Sequence, residues 1–134
     1  MTTSNENKTN MLTRKDLNRA VIHGLGMEWG WTYEKQMNLP YFNMVRHALK
    51  KIYKDQPEKL HEAMVRNCEF FNITPQLAPF VGGIALAMEE QNAKSDDFDT
   101  KSITAIKSAL MGPLSGIGDS IFLSGIRIIA LGIG

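Results

Sequence analysis

Apolar side chains recur every three to four residues along most of the chain, which is the spacing of one face of an α-helix. The pattern predicts five helices before residue 110, over residues 13–25, 41–54, 57–71, 81–93 and 100–110. Thr13 and Asp16 suit the start of the first helix, because a hydroxyl and a carboxylate satisfy free N–H groups there. No strand-like alternation persists in the sequence, so the predicted fold class is all-α.

The second predicted helix has the clearest apolar face, made by Tyr41, Met44, Val45, Ala48, Leu49 and Ile52. Between the helices lie two interruptions, Asn38-Leu39-Pro40 and residues 72–79, which contain proline. Gly26 and Gly30 are four residues apart. They indicate either a helix face open to close backbone approach or a kink or loop.

The last part of the chain differs from the rest in charge and in glycine content. Of the 29 charged residues 27 precede residue 109, whereas six of the 11 glycines follow it. The sequence therefore divides into a disordered polar tail (1–11), an amphipathic helical region (12–108) and the start of a membrane-embedded region (109–134). The chain ends inside the apolar run, so we expect it to be truncated.

Composition and motifs exclude several classes of function. A formal net charge of +1 argues against nucleic-acid binding, and the single Cys68 leaves no internal disulfide. The glycine-rich stretch lacks the lysine of a phosphate loop, and Ile121 stands where a dinucleotide fingerprint needs glycine. His61-Glu62 has no second metal-ligand histidine, so no metal site is expected. Glu89-Glu90 and Asp96-Asp97 are expected on a solvated face or turn.

Asp119 lies inside the apolar run, in MGPLSGIGDSIF. An unpaired aspartate at the centre of a bilayer costs roughly 2.5 to 3.5 kcal/mol, so such a residue normally faces a cavity or a partner. Arg127 is eight residues away and too far along a helix to pair with it directly. Two interpretations stay open: a glycine-rich broken membrane segment, or a turn capped by Asp119 before a helix starting at Ser120.

Several motifs, in the same order and at the same spacing, resemble the IID membrane subunit of mannose-family sugar phosphotransferase systems. MGPLSGIGDSIF is similar to that family's M-G-P-L-A-G-I-G-D-S-L-F signature. LTRKDL, YEKQMNL, LKKIY, CEFFNITP and GIALAMEE resemble further motifs of the family, from about Leu12 onward. The chain departs from the family pattern at Thr32, Asn67 and Thr74, so these are the positions at which its sugar specificity is expected to differ. Family subunits are also about twice as long, so the resemblance covers an N-terminal half.

The resemblance implies a subunit that works with a IIC membrane partner to carry a hexose inward. It also implies that soluble IIA and IIB proteins phosphorylate the sugar, so that IID has no catalytic residue and no cofactor of its own. Asp119 and Ser120 are then candidates for the sugar path, and Asn72 and Glu34 are weaker ones. The implied assembly is a hetero-oligomer in the cytoplasmic membrane.

The residues alone keep a different class of function open, namely a soluble helical interaction module whose apolar end packs as a helix. For the membrane interpretation, 14 of the 15 basic residues precede residue 109, which favours a cytoplasmic N-terminus. The amphipathic helices are then expected against the inner membrane surface or the IIC partner, burying Tyr41, Met44, Val45 and Ile52 there.

Overall fold

The computed structural model describes residues 11–134, and helices form most of this part of the chain. The α-helices are α1 (Arg14–Gly24), α2 (Asn38–Ile52), α3 (Pro57–Asn67), α4 (Ala78–Lys94), α5 (Lys101–Gly118) and α6 (Ile126–Ile133). Short 3₁₀ turns cover Met27–Gly30 and Pro75–Leu77, and residues 11–134 contain no β-strand beyond isolated bridges. The all-α prediction is confirmed. The predicted polar tail lies outside the described residues except for Met11.

The observed helix ends agree with the predicted ones where capping residues mark them. They differ where a proline was interpreted as the end of a helix. At the start of α1 the backbone N–H of Thr13 donates to Asp16 Oδ2 over 2.8 Å. This is the contact expected at a capped end. Helix α2 begins at Asn38, three residues before the prediction. The reason is that Pro40 lies in its first turn, where a backbone N–H has no helical acceptor to lose.

Helix α2 forms the centre of the structure and packs against α1, α3 and α4. Its predicted apolar face is buried, and the Tyr41 ring stacks on Phe71 with centroids 4.0 Å apart. Phe71 itself follows α3, which ends at Asn67 instead of continuing to residue 71. The expectation that this apolar face meets a membrane or a partner is wrong, because the neighbouring helices of the same chain cover it.

The glycines near the end of α1 act through close packing and a turn. A Cβ added to Gly24 would lie 2.9 Å from Pro79 Cγ, so glycine lets α1 approach the start of α4. Gly26 and Gly30 fall in the following turn, which confirms the loop interpretation for that pair. Helix α1 buries Ala20 and Gly24, and its apolar residues Leu17 and Val21 are exposed.

The C-terminal quarter of the chain is one continuous helical rod from Lys101 to Ile133. Its first turns pack in the bundle, where Ile103 and Lys107 are buried. The rod has 33 residues. With a rise of about 1.5 Å per residue it extends over roughly 50 Å, more than the roughly 30 Å of a bilayer core. The predicted division at residue 109 therefore falls inside α5. The helix continues across this point, where Ile103 and Lys107 are buried before it and most side chains after it are exposed.

The break was predicted over residues 112–120, but α5 continues as an α-helix through Pro113 to Gly118. Within this rod the departure from α-helical geometry is a π-helical segment, Asp119–Gly125, between α5 and α6. The alternative of a turn capped by Asp119 before a helix starting at Ser120 is wrong, since Asp119 and Gly118 both have helical dihedral angles. None of the described glycines has a positive φ. A π-segment alters the helix while keeping backbone groups bonded, which an apolar environment requires.

Candidate functional site

A cleft of about 320 Å³ lies between the middle of the apolar rod and the bundle. One wall is the segment that follows α3, residues 72–76, and the other is the rod from Ser115 to Ile126. Glu28 and Met37 complete the lining. The cleft thus combines two carboxylates, amide side chains and the Phe122 ring, a composition suited to a small polar ligand with an apolar face.

Asp119 is held at this cleft by Thr74. The Thr74 hydroxyl lies 2.9 Å from Asp119 Oδ1 and 3.2 Å from the carbonyl oxygen of Ser115. Thr74 is buried, and Gly118 makes its position possible, because a Cβ on Gly118 would overlap the Thr74 side chain. Glycine at 118 is therefore a packing requirement. The contact fixes one carboxylate oxygen of Asp119 against the bundle.

The residues proposed from the sequence fall into two groups. Asp119 and Asn72 both line the cleft. Ser120 does not, because its hydroxyl donates to the carbonyl oxygen of Gly116 over 2.8 Å along its own helix. Glu34 is exposed and lies outside the cleft lining, where Glu28 is present instead. Thr74, named in the sequence only as a departure from the family pattern, is the residue that contacts Asp119.

A second polar cluster is buried inside the bundle around Glu89, which has no exposed surface. Arg66 meets it with two hydrogen bonds, Nη2 to Oε2 at 2.8 Å and Nε to Oε1 at 3.1 Å. Asn67 Nδ2 donates to Oε1 over 2.8 Å, and Tyr53 donates to Oε2 over 2.7 Å. The expectation of a solvated Glu89-Glu90 pair is wrong, since both residues are buried; Asp96 is exposed as expected.

This cluster reaches the apolar rod through Lys107. The Lys107 ammonium lies 3.3 Å from the carbonyl oxygen of Arg66 and 4.7 Å from the centroid of the Tyr41 ring. Burial raises the pKa of both Tyr41 and Tyr53, so the two phenols stay neutral. Side chains from α2, α3, α4 and α5 are joined in one network, which fastens the base of the rod to the bundle.

The spacing of apolar residues along α4 indicates from sequence that Glu89 is buried. Its buried residues occur at positions 78, 81, 82, 85, 86, 89, 90, 92 and 93. Glu89 follows Ala85 and Leu86 by four and three residues, so it continues the apolar face toward the core. A carboxylate at such a position requires a buried cation, and Arg66 and Lys107 supply positive charge nearby.

The groups that catalysis or a metal would use are dispersed in this part of the protein. Burial raises the pKa of the Cys68 thiol above its usual value, which keeps it in the less nucleophilic protonated form. Within residues 11–134 no three histidine, cysteine or acidic side chains are grouped as metal ligands would be. The cleft at Asp119 itself offers carboxylate, amide and hydroxyl groups.

Comparison with known proteins gives a consistent result. Residues 11–134 match the family described as the PTS system mannose/fructose/sorbose family IID component. The chain is 36% identical to the PTS system mannose-specific EIID component of Escherichia coli (strain K12), over 92% of this chain and 44% of that protein. It is 33% identical to the fructose permease IID component of Bacillus subtilis (strain 168), over 95% and 46% respectively.

Among solved structures, the chain is similar to one in a cryo-EM structure of the mannose transporter ManYZ in complex with microcin E492 (MceA). The TM-score is 0.85 at 34% identity, over 92% of this chain and 46% of the other. A second structure, of a membrane protein, matches with a TM-score of 0.83 and 32% identity. The chain spans about half the length of the curated relatives it matches.

Proposed function

Because the chain belongs to the family of mannose/fructose/sorbose phosphotransferase system IID components, we propose that it is the N-terminal part of a sugar permease subunit. In this proposal the subunit joins a IIC membrane protein, and together they translocate a hexose that the soluble IIA and IIB proteins phosphorylate. The family match over residues 11–134 carries the proposal.

The apolar rod supports a membrane location over a soluble interaction module. Only 6% of its most apolar stretch is buried within the described structure. The exposed apolar side chains include Ile117, Ile121, Leu123, Ile126, Ile128, Ile129, Leu131 and Ile133. A soluble protein rarely exposes an apolar surface this continuous, so lipid or other membrane helices would cover it.

We place the cleft at Asp119 on the sugar path. Asp119 has one oxygen bonded to Thr74 and faces a space with Asn72 and Glu28 in its wall. Carboxylate and amide groups hydrogen-bond sugar hydroxyls, and Phe122 offers an apolar face for the ring carbons. Ser120 and Glu34 lie outside this cleft and would reach a sugar only from surfaces that face other parts of the transporter.

The substitution Asp119→Asn in the complete subunit, expressed with IIC and the soluble relay, tests this function. It keeps the size of the side chain and removes the charge, so we expect sugar uptake to fall at least roughly tenfold, as for loss of a charged hydrogen bond. The amount of subunit in the membrane is measured alongside and should not change. Asp96→Asn, at an exposed turn, is the matched control. Uptake that survives Asp119→Asn would contradict the assignment.

We also propose that the N-terminus is cytoplasmic, because basic residues are concentrated before the apolar rod. A cysteine introduced at Ser4, in a Cys68→Ser background, should be shielded from a membrane-impermeant thiol reagent in intact cells. The same cysteine should react after the cells are permeabilised. Equal reaction before and after permeabilisation would reverse the proposed orientation.

A further inference from the structure

A second, positively charged groove lies between α1 and α2, away from the Asp119 cleft. Its volume is about 610 Å³. Lys15, Asn18 and Arg19 of α1 line it, with Lys51 of α2 on the opposite side. Asp16 is also in the wall and is the only carboxylate on either helix.

Asp16 does not neutralise this groove. Its carboxylate accepts hydrogen bonds from Lys51, from the Thr13 hydroxyl and from the Thr13 backbone, which together lower its pKa to about 2. Lys15 and Arg19 have no ion pair within the described part of the chain. The groove therefore keeps two uncompensated cations.

Further positive charge lies beside the groove on α2. Arg46, His47 and Lys50 are exposed there. The pKa of His47 is lowered, first by the charge of Arg19 and also by Arg46 and Lys50, which places these cations close together. A cluster of this kind attracts an anion with several oxygens, such as a phosphate group.

Apolar side chains next to the groove indicate where the phosphate comes from. Ile22 is 66% exposed and Leu25 is 78% exposed. Both residues follow Arg19 within six positions along the chain. On the other flank of α1, Val21 and Phe80 border an apolar cleft of about 440 Å³. Basic residues beside exposed apolar ones are the pattern of a helix that lies at a lipid surface.

The groove is also at the end of the bundle where the rod begins. Asp16 and Lys51 join the start of α1 to the end of α2. Gln56, just after α2, donates to the carbonyl oxygen of Ala93 near the end of α4 over 3.1 Å. Helix α5 begins at Lys101, seven residues after α4 ends, so the groove lies level with the basic first turns of the rod.

We propose that the groove between α1 and α2 binds the headgroup phosphate of an anionic phospholipid. Lys15 and Arg19 contact the headgroup, Lys51 stays paired with Asp16 beside them, and the exposed apolar side chains at the end of α1 contact its acyl region. The inference rests on the proposed membrane location but not on the proposed sugar path. A phosphorylated protein would satisfy the same cations, yet it would leave Ile22 and Leu25 in water.

Lipid binding to the chain in detergent micelles, counted by native mass spectrometry, tests the proposal. The chain is titrated with phosphatidylglycerol or with phosphatidylcholine, and inorganic phosphate is added as a competitor. We expect phosphatidylglycerol to be preferred, and the double variant K15Q/R19Q to weaken its binding roughly tenfold or more. The matched variant R14Q/K54Q removes the same charge outside the groove and should retain the preference. Circular dichroism establishes that both variants are folded.

Three results would overturn the lipid assignment: equal binding of the two lipids, equal loss in both double variants, or displacement of the lipid by inorganic phosphate at comparable concentration. K15Q/R19Q could also leave lipid binding unchanged and yet abolish sugar uptake by the complete transporter. That result would assign the groove to a protein partner. A chain that stays monodisperse without detergent would instead contradict the membrane location itself. Failure of the lipid assignment and failure of the membrane location are therefore distinguishable.

Discussion

Glu89 and Arg66 form a buried ion pair, in which neither charged group has ready access to water. The Arg66 side chain is 11% exposed and that of Glu89 is fully buried, so each depends on the other and on Asn67 and Tyr53. Removing one partner of a buried pair leaves the other charge without compensation, and this outweighs the modest net contribution of the intact pair. Lys107, the third charge nearby, makes the carboxylate more necessary.

We therefore expect Glu89→Gln to reduce the free energy of unfolding by about 3–5 kcal/mol, because Arg66 stays buried and charged. The measurement is thermal or denaturant unfolding of the chain in a fixed detergent, followed by helical circular dichroism. Asp96→Asn breaks an exposed contact to Lys59 and should leave stability unchanged. Similar stability for both variants would mean that the Glu89 network is dispensable.

At the scale of elements, the contact between α5 and the segment after α3 depends on the absence of a side chain at Gly118. Thr74 occupies the space that a Cβ would need, and its hydroxyl reaches Asp119 from there. Gly116 lies half a turn earlier on the same helix and has open space around it. The two glycines are chemically identical but differ in what they contact.

A pair of alanine substitutions separates these roles. Gly118→Ala should reduce stability by about 1–3 kcal/mol, because Thr74 must move and its bond to Asp119 is lost. Gly116→Ala should be neutral or increase stability by about 0.5–1 kcal/mol, because alanine favours the helix. Unfolding of both variants in the same detergent gives the comparison, and an equal gain in stability in both would mean that Gly118 acts through helix propensity alone.

The sequence predicted the elements better than it predicted their contacts. The spacing of Tyr41, Met44 and Ile52 identified the buried face of α2, because periodicity depends on one helix only. It could not show which surface covers that face, since this depends on helices far away in sequence. The same limit applies to Thr74 and Asp119, which are 45 residues apart and meet only through the fold.

The candidate site residues show the same difference between what local sequence predicts and what only the fold determines. Asp119 was identified because a charge in an apolar run has a high local cost, and Asn72 through a family motif. Ser120 was proposed with Asp119 as its neighbour, yet adjacent residues of a helix point in different directions, and the Ser120 hydroxyl bonds to Gly116 along its own helix. Glu89 was assigned to the surface because two adjacent acids usually are, although its spacing from Ala85 and Leu86 indicated the core.

At the scale of the whole molecule, the described structure has two kinds of surface. The bundle has its own core, centred on α2, and a charged exterior. The rod beyond residue 116 exposes nearly every apolar side chain it has, together with Asp119 and Arg127. A transport path needs several spanning elements that satisfy one another's polar groups, and residues 11–134 contain one helix that is long and apolar enough to span a membrane.

We accordingly expect that this chain of 134 residues does not transport sugar by itself. Cells that lack their own IID but contain IIC and the soluble relay provide the test, with phosphorylation-coupled uptake as the measurement. A complete IID subunit from the same family serves as the positive control. The isolated chain should also require detergent to remain monodisperse. Uptake restored by this chain alone would contradict the prediction.

The continuity of the rod has a consequence for how the protein is synthesised. Ile103 and Lys107 complete the core of the bundle, and the apolar residues that follow them leave the ribosome directly afterwards. With translation at roughly 5–20 residues per second, the bundle helices are all available before the apolar stretch reaches an insertion machinery. The bundle contacts the rod as far as Gly118, where Thr74 packs against it. We therefore expect the bundle to close around the first turns of the rod and to leave only the residues beyond Gly118 free to meet lipid.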